Sequence, residues 1–268
     1  MVRACALLVV TSFVQAGCID FTPPWSTSGP RTSGGPFIYY SCDQSAGSTL
    51  VDASGFGNHA KLLGDFTFAP GKVGQALTLT AHASPNETLS GYAELPAGFL
   101  PGITDMTVAS WVKLAANPRW QRMFDFGSGF ATNMFLTTNN QVPNVSVGPL
   151  HFGISVVGGV DGGVVGNTID VGTASTAAGT LPNGTWKHLA VVVGSNVGTL
   201  YVDGIAVGTN SGMTLHPGDL QETANNWIGR SQFSGTPQFD PYFDGQIDDF
   251  RVYDRALSAA EIATLAGM

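Results

Sequence analysis

From Phe37 to Tyr253 the chain keeps no long helical period; short β-prone runs alternate with turn signals, a pattern that few architectures other than a sandwich or barrel accommodate. Met106–Lys113 is the clearest run. Met106, Val108, Ser110 and Val112 fall on one face of a strand, and Thr107, Ala109, Trp111 and Lys113 on the other. Trp186–Val193 repeats the pattern, and Ile247–Tyr253 closes the series. Gly198–Gly208 predicts a hairpin, because Asp203-Gly204 supplies the two positive-φ positions that a type I′ turn needs between right-twisted strands. Ser258-Ala-Ala-Glu261 is a capping box, predicting a short amphipathic helix through Ile262 and Leu265. Charged residues are only 11% of the chain and glycines number 35, which favours many strands joined by tight turns. At 268 residues one sizeable core suffices. The expected class is all-β.

The first 36 residues read differently. Met1–Gly17 sets Arg3 before the apolar run Ala4–Val10 and ends on the small pair Ala16-Gly17, the layout of an export signal. The apolar stretch is far shorter than the ~20 residues that cross a bilayer. Ala16-Gly17-Cys18 resembles the lipobox of bacterial lipoproteins, with Gln15 where leucine is usual. Cys18 is therefore expected to carry lipid, each buried methylene adding ~0.8 kcal/mol of membrane affinity. Secretion after ordinary cleavage is the alternative. In a cell with two membranes, Ile19 in place of an aspartate points to the outer one. Residues 18–36, rich in Pro, Ser, Thr and Gly, read as a flexible tether, and Trp25 within them as an interfacial aromatic beside the anchor or a merely disordered residue, with a recognition element as the alternative. A thioether at Cys18 excludes its pairing with Cys42, which is then expected to be a small buried hydrophobe.

Residues 37–268 resemble a laminin G-like, concanavalin A-like jelly roll. The match is carried by an ordered set: Tyr39–Asp43, Asp52–His59 (DASGFGNH), Gly71–Leu77 (GKVGQAL), Ala109–Val112 (ASWV), Trp186–Ala190 (WKHLA), Leu200–Gly204 (LYVDG), Trp227–Arg230 (WIGR) and Phe243–Ser258 (FDGQIDDFRVYDRALS). Arg122–Gly127 (RMFDFG) and Tyr242–Gly245 (YFDG) further resemble modules appended to bacterial carbohydrate-active enzymes. The resemblance implies a two-sheet antiparallel sandwich whose first and last strands meet at one edge. It also implies a structural calcium there, held by Asp43, Asp52, Asn58, a nearby carbonyl such as that of His59, and Asp248. Side-chain-to-backbone turns at Asp52 and Asn58 are the alternative role.

A formal net charge of −8 with 11 basic residues argues against a nucleic-acid partner. The four glutamates lie in no strand alternation, Asp248-Asp249 are adjacent and so face opposite sides of a strand, and the five histidines lack metal-ligand spacing. A binding protein rather than an enzyme is expected. A sugar site would join an aromatic platform to a few fixed polar groups. The candidates are Trp120 with Arg119 and Arg122, then Trp227, Arg230 and Tyr242. Trp111, Trp186 and Trp227 have core packing between the sheets as their simpler role, His188 that of a hydrogen-bonded core residue, and Asp125 that of an arginine's ion-pair partner. A polysaccharide or glycoprotein ligand is the first expectation; an adhesive or structural envelope protein working through protein contacts is the second, and a glycan hydrolase or lyase the third.

Overall fold

The computed structural model describes residues 34–83, 86–140, 148–158, 163–171, 181–234 and 240–268. The export signal, Cys18, Trp25 and nearly all of the tether lie outside the described residues. Among the described residues no helix is long and apolar enough to cross a membrane.

The strands are β1 (Ile38–Tyr40), β2 (Thr49–Leu50), β3 (Ala60–Leu63), β4 (Phe66–Pro70), β5 (Gln75–Leu79), β6 (Tyr92–Glu94), β7 (Met106–Leu114) and β8 (Arg122–Gly127). They continue with β9 (Asn133–Thr137), β10 (His151–Val157), β11 (Val164–Asp170), β12 (Trp186–Gly194), β13 (Val197–Val202), β14 (Ile205–Asn210), β15 (Asn225–Ile228) and β16 (Gly245–Tyr253), before helix α1 (Ala259–Ala266). Sheet I runs β14-β13-β12-β7-β16-β5-β4, with β1 added beside β16. Sheet II runs β11-β10-β9-β8-β15-β6-β3-β2. Every pairing between named strands is antiparallel, as expected of a jelly roll.

The core forms where the apolar faces of the two sheets meet. Met106, Val108, Val112 and Leu114 of β7 and Val191 and Val193 of β12 join Phe124, Phe126, Met134, Leu136 and Phe152 of sheet II in one cluster. Phe126 lies edge-on to Phe99 at 5.2 Å between ring centroids. Burying each such ring stabilises the fold by ~1.5–3 kcal/mol. Cys42 is buried, its Sγ against the Tyr40 carbonyl at 3.6 Å, and burial raises the thiol far above its ordinary value. The hairpin forms as predicted, with Asp203 at φ 50° and Gly204 at φ 81°. So does the capping box: Ser258 N donates to Glu261 Oε2 at 2.8 Å, and Glu261 N to Ser258 Oγ at 3.3 Å. Helix α1 rests on the outer side of sheet I, Ile262 packing with Ala109, Ala190, Tyr201 and Tyr253.

Two expectations fail. Trp111, Trp186 and Trp227 do not fill the space between the sheets. Trp111 alternates with Val112 and therefore points outward, where Lys72 Nζ covers it at 4.5 Å from the ring centroid. Trp227 is 8% exposed on the outer face of sheet II, in antiphase with the core residue Ile228, and Trp186 is half-buried beside Lys113. His188 is buried against Trp111 at 5.3 Å between rings, but its Nδ1 has no hydrogen-bond partner.

Candidate functional site

The first and last strands of the sandwich meet, and β16 makes the meeting point. Its start pairs with β5 through Gly245–Ile247, and its end pairs with β1 through Phe250–Val252 on the same edge. Between the two lies a register shift, with Asp249 at φ 51°. Asp248 Oδ2 accepts the amides of Lys72 and Val73 at 2.8 and 2.9 Å, and Asp43 Oδ1 accepts that of Gln75 at 2.9 Å. Both aspartates therefore hold one loop. Its glycines leave room for them: Gly74 has φ 61°, and a Cβ there would collide with Asp43 Oδ1. Asp248 Oδ1 is buried without a partner, and burial pushes this carboxyl up to about 6.

The other expected calcium ligands are already engaged. Asp52 accepts from Tyr39 N, Ser54 N, Ser54 Oγ and Asn58 N, which occupies both its oxygens. Asn58 donates its amide to the Phe37 carbonyl, and His59 Nδ1 accepts from Asp52 N. These three close a turn by side-chain-to-backbone bonds. Among the described residues no group of three or more His, Cys, Asp and Glu could hold a metal ion. Of the expected set, the carboxylate oxygen left buried and unpartnered is Asp248 Oδ1.

The aromatic candidates converge on the outer face of sheet II. Strand alternation sends Ala93, Phe124, Phe126, Leu136 and Ile228 into the core, so their neighbours point out. One register line across that face runs Lys61, Glu94, Trp227, Asp125, Phe135 and Gly153. At one end Arg230 is half-buried among three rings: its guanidinium carbon lies 4.3 Å from the Trp227 centroid, 4.8 Å from Tyr92 and 5.9 Å from Tyr242. Tyr92 and Tyr242 are themselves 6.0 Å apart. A desolvated cation against such faces gains up to ~2 kcal/mol from the ring quadrupoles.

The other end is a corner built around Arg122. Expected at a ligand, this residue is instead 2% exposed and holds the scaffold. Its Nη1 donates to the Trp120 carbonyl at 2.8 Å, its Nη2 to Asp240 Oδ2 at 2.9 Å, and its guanidinium carbon lies 3.9 Å from the Phe135 centroid. Asp125 is its further partner, as the sequence suggested, with Oδ2 3.6 Å from Arg122 Nε. Burial pushes the Asp125 carboxyl up to about 7, only partly offset by Arg122, and pulls Arg122 itself down. Trp120 is half-buried at φ 65°, its ring edge-on to His151 at 6.0 Å. His151 Nδ1 lies 2.6 Å from Asp170 Oδ1, and burial lowers its pKa despite that carboxylate. Arg119 is exposed on the approach to this corner.

Between the two ends, Gln232 N donates to Asp125 Oδ2 at 3.0 Å and Ser231 Oγ to Asp240 Oδ2 at 2.9 Å. Arg122 Nε, Asp125 Oδ1, Trp227 Nε1 and Arg230 Nε are all buried without hydrogen-bond partners, and unsatisfied polar atoms gathered on one face call for an explanation. Tyr92, Phe135, His151, Asp170 and Asp240 were missed in the sequence. Tyr92 and Phe135 alternate with core residues, so their outward phase was legible; their adjacency to Trp227 depended on strand order.

A laminin G family model, described as the concanavalin A-like lectin/glucanases superfamily, matches residues 86–263, and the chain belongs to that superfamily. No curated protein matches the chain. Among solved structures, domain 4 of AbnA, a GH43 extracellular arabinanase from Geobacillus stearothermophilus in complex with arabinotriose, superposes with TM-score 0.62 at 20% identity, over 87% of this chain and 98% of that one. A botulinum neurotoxin type C structure, whose cell entry is described as dependent on two ganglioside molecules, gives 0.59 at 14% identity over 87% of this chain. The binding domain of Paraclostridial Mosquitocidal Protein 1 gives 0.56 at 13%. This chain spans about half of each of those two toxin chains, 51% and 52%. At such identities the likeness is one of fold.

Proposed function

We propose that the folded unit is a non-catalytic recognition module for a carbohydrate or glycoconjugate, bound on the outer face of sheet II. The observation that carries this reading is the half-buried cluster of Arg230, Tyr92 and Tyr242 over the buried Trp227, which joins tyrosine rings for stacking to a fixed cation for hydroxyl or carboxylate oxygens. Trp120 and the exposed Arg119 would extend the contact at the far corner. The arabinotriose and ganglioside named for two structural neighbours support a glycan as the class of partner. The test is a glycan array with the full chain, with and without calcium. Arg230→Ala should abolish the signal, and silence on both arms would move the reading to an adhesive protein working through protein contacts.

Calcium enters this reading as a structural ion at Asp43 and Asp248, supported by the unpartnered Asp248 Oδ1. Millimolar calcium should then raise the thermal midpoint, an increment that Asp43→Asn removes. The reading also places the chain on the cell envelope through lipid at Cys18, on the outer membrane where there are two. Metabolic labelling with a fatty acid should mark the chain and fail on Cys18→Ser.

A further inference from the structure

The outer face of sheet I is only half covered. Beyond the helix, one register line crosses five strands as Trp186, Lys113, Gln246, Thr78 and Thr67. Neighbouring strands lie ~4.8 Å apart, so these side chains form a row ~19 Å long on one surface. All of them except Trp186 border an open depression of about 650 Å³, walled at one side by the Asn183-Gly184 turn and at its end by Asp244. That volume lies within the ~300–1,000 Å³ usual for small-ligand sites.

The chemistry of the row is narrow. Leu79 and Leu114 border the depression but are core side chains, at most 1% exposed, so what projects into it is hydroxyl, amide and ammonium together with the small methyls of Ala69 and Ala115. Gln246 Nε2 has only long contacts, 3.4 Å to the Pro70 carbonyl and 3.3 Å to Thr78 Oγ1, so it can turn to a ligand at small cost. Lys113 forms no ion pair among the described residues, and its ammonium lies 5.9 Å from the half-buried Trp186 ring. With Lys113 and Asp244 both at the rim, the two formal charges cancel. We infer that this groove is a second binding site, on the opposite side of the sandwich from the Arg230 cluster, and that it takes a neutral, hydroxyl-rich chain such as an extended oligosaccharide lying across the strands toward Trp186.

The probes are neutral arabino-, xylo- and gluco-oligosaccharides of three to six units, titrated calorimetrically into the full chain. At least one should bind, about tenfold more weakly to Gln246→Ala and at undiminished strength to Arg230→Ala. Asn183→Arg, at an exposed position on the groove wall, is the second variant and should lower affinity by a similar factor with the melting curve unchanged. Hydrogen exchange should slow at residues 183–186 and 244–247 when the ligand is bound. Binding that falls with Arg230→Ala and ignores both groove variants would overturn this inference and leave the sheet II reading standing. Groove-dependent binding that ignores Arg230→Ala, with no glycan dependent on Arg230, would do the reverse. Absence of binding by all three probe classes overturns the groove outright.

Discussion

The two outer faces of the sandwich rest on the same core and are finished in opposite ways. Sheet II carries rings and buried charges: Trp227, Phe135 and Tyr92 alternate with core residues, and Arg122 is closed in by Asp125 and Asp240. Sheet I carries an alanine patch under a helix and, beside it, a row of short polar side chains. Inner faces must match each other in volume and are constrained to apolar residues. Outer faces are not so constrained, and their divergence is the part of the molecule available for selective contacts.

The largest expected difference is at the arginine. Arg122→Ala leaves two carboxylates without their cation in a buried setting and should cost about 3–5 kcal/mol in denaturant unfolding. Lys113→Ala on sheet I should stay within about 0.5 kcal/mol, because its ammonium forms no ion pair among the described residues. Equal losses would break the comparison.

Acid and base should also separate the faces. Asp125 has a folded pKa raised to about 7, so the native state holds its proton while the unfolded state loses it; this contribution is complete below about 4 and fades as pH rises to about 7. His188 on sheet I behaves oppositely. Burial lowers it to about 4, so the unfolded chain binds protons first and stability falls as pH drops from 6.5 towards 4. Thermal midpoints across pH 4–8 should lose part of their alkaline decline in Asp125→Asn and part of their acid decline in His188→Gln. Asp248, raised to about 6, adds to the alkaline decline from the sheet I side, so the Asp125 variant should flatten it without removing it. The smallest effect is at the helix: Ser258→Ala removes an N-cap and should cost about 1 kcal/mol, loosening α1 from sheet I while the glycan binding proposed for sheet II stays unchanged.

Strand positions with a clean alternation were legible. Met106–Lys113, the Asp203-Gly204 hairpin and the Ser258 cap all rest on contacts between residues close in sequence, and local geometry decides them. Asp43 and Asp248 could be placed at one edge only through family resemblance, since more than two hundred intervening residues separate them. The Arg230 cluster shows where reading by residue type stops. Trp227, Arg230 and Tyr242 were named from composition of the motif, but Tyr92 was missed because β6 becomes the neighbour of β15 only when the sheet is assembled. Arg122 was named for the wrong role: a register shift at the start of β8 and the approach of Asp240 turn a loop arginine into a buried one.

By itself the sequence determined the class of fold, the β-periodicity, the turn at 203–204 and the terminal helix, because each depends on backbone preferences within a few residues. Only the tertiary structure decided which tryptophans face outward, which arginine is buried, and that a polar row crosses β4, β5, β16, β7 and β12. Those outcomes depend on strand order and register, which are set by the packing of residues far apart in the chain.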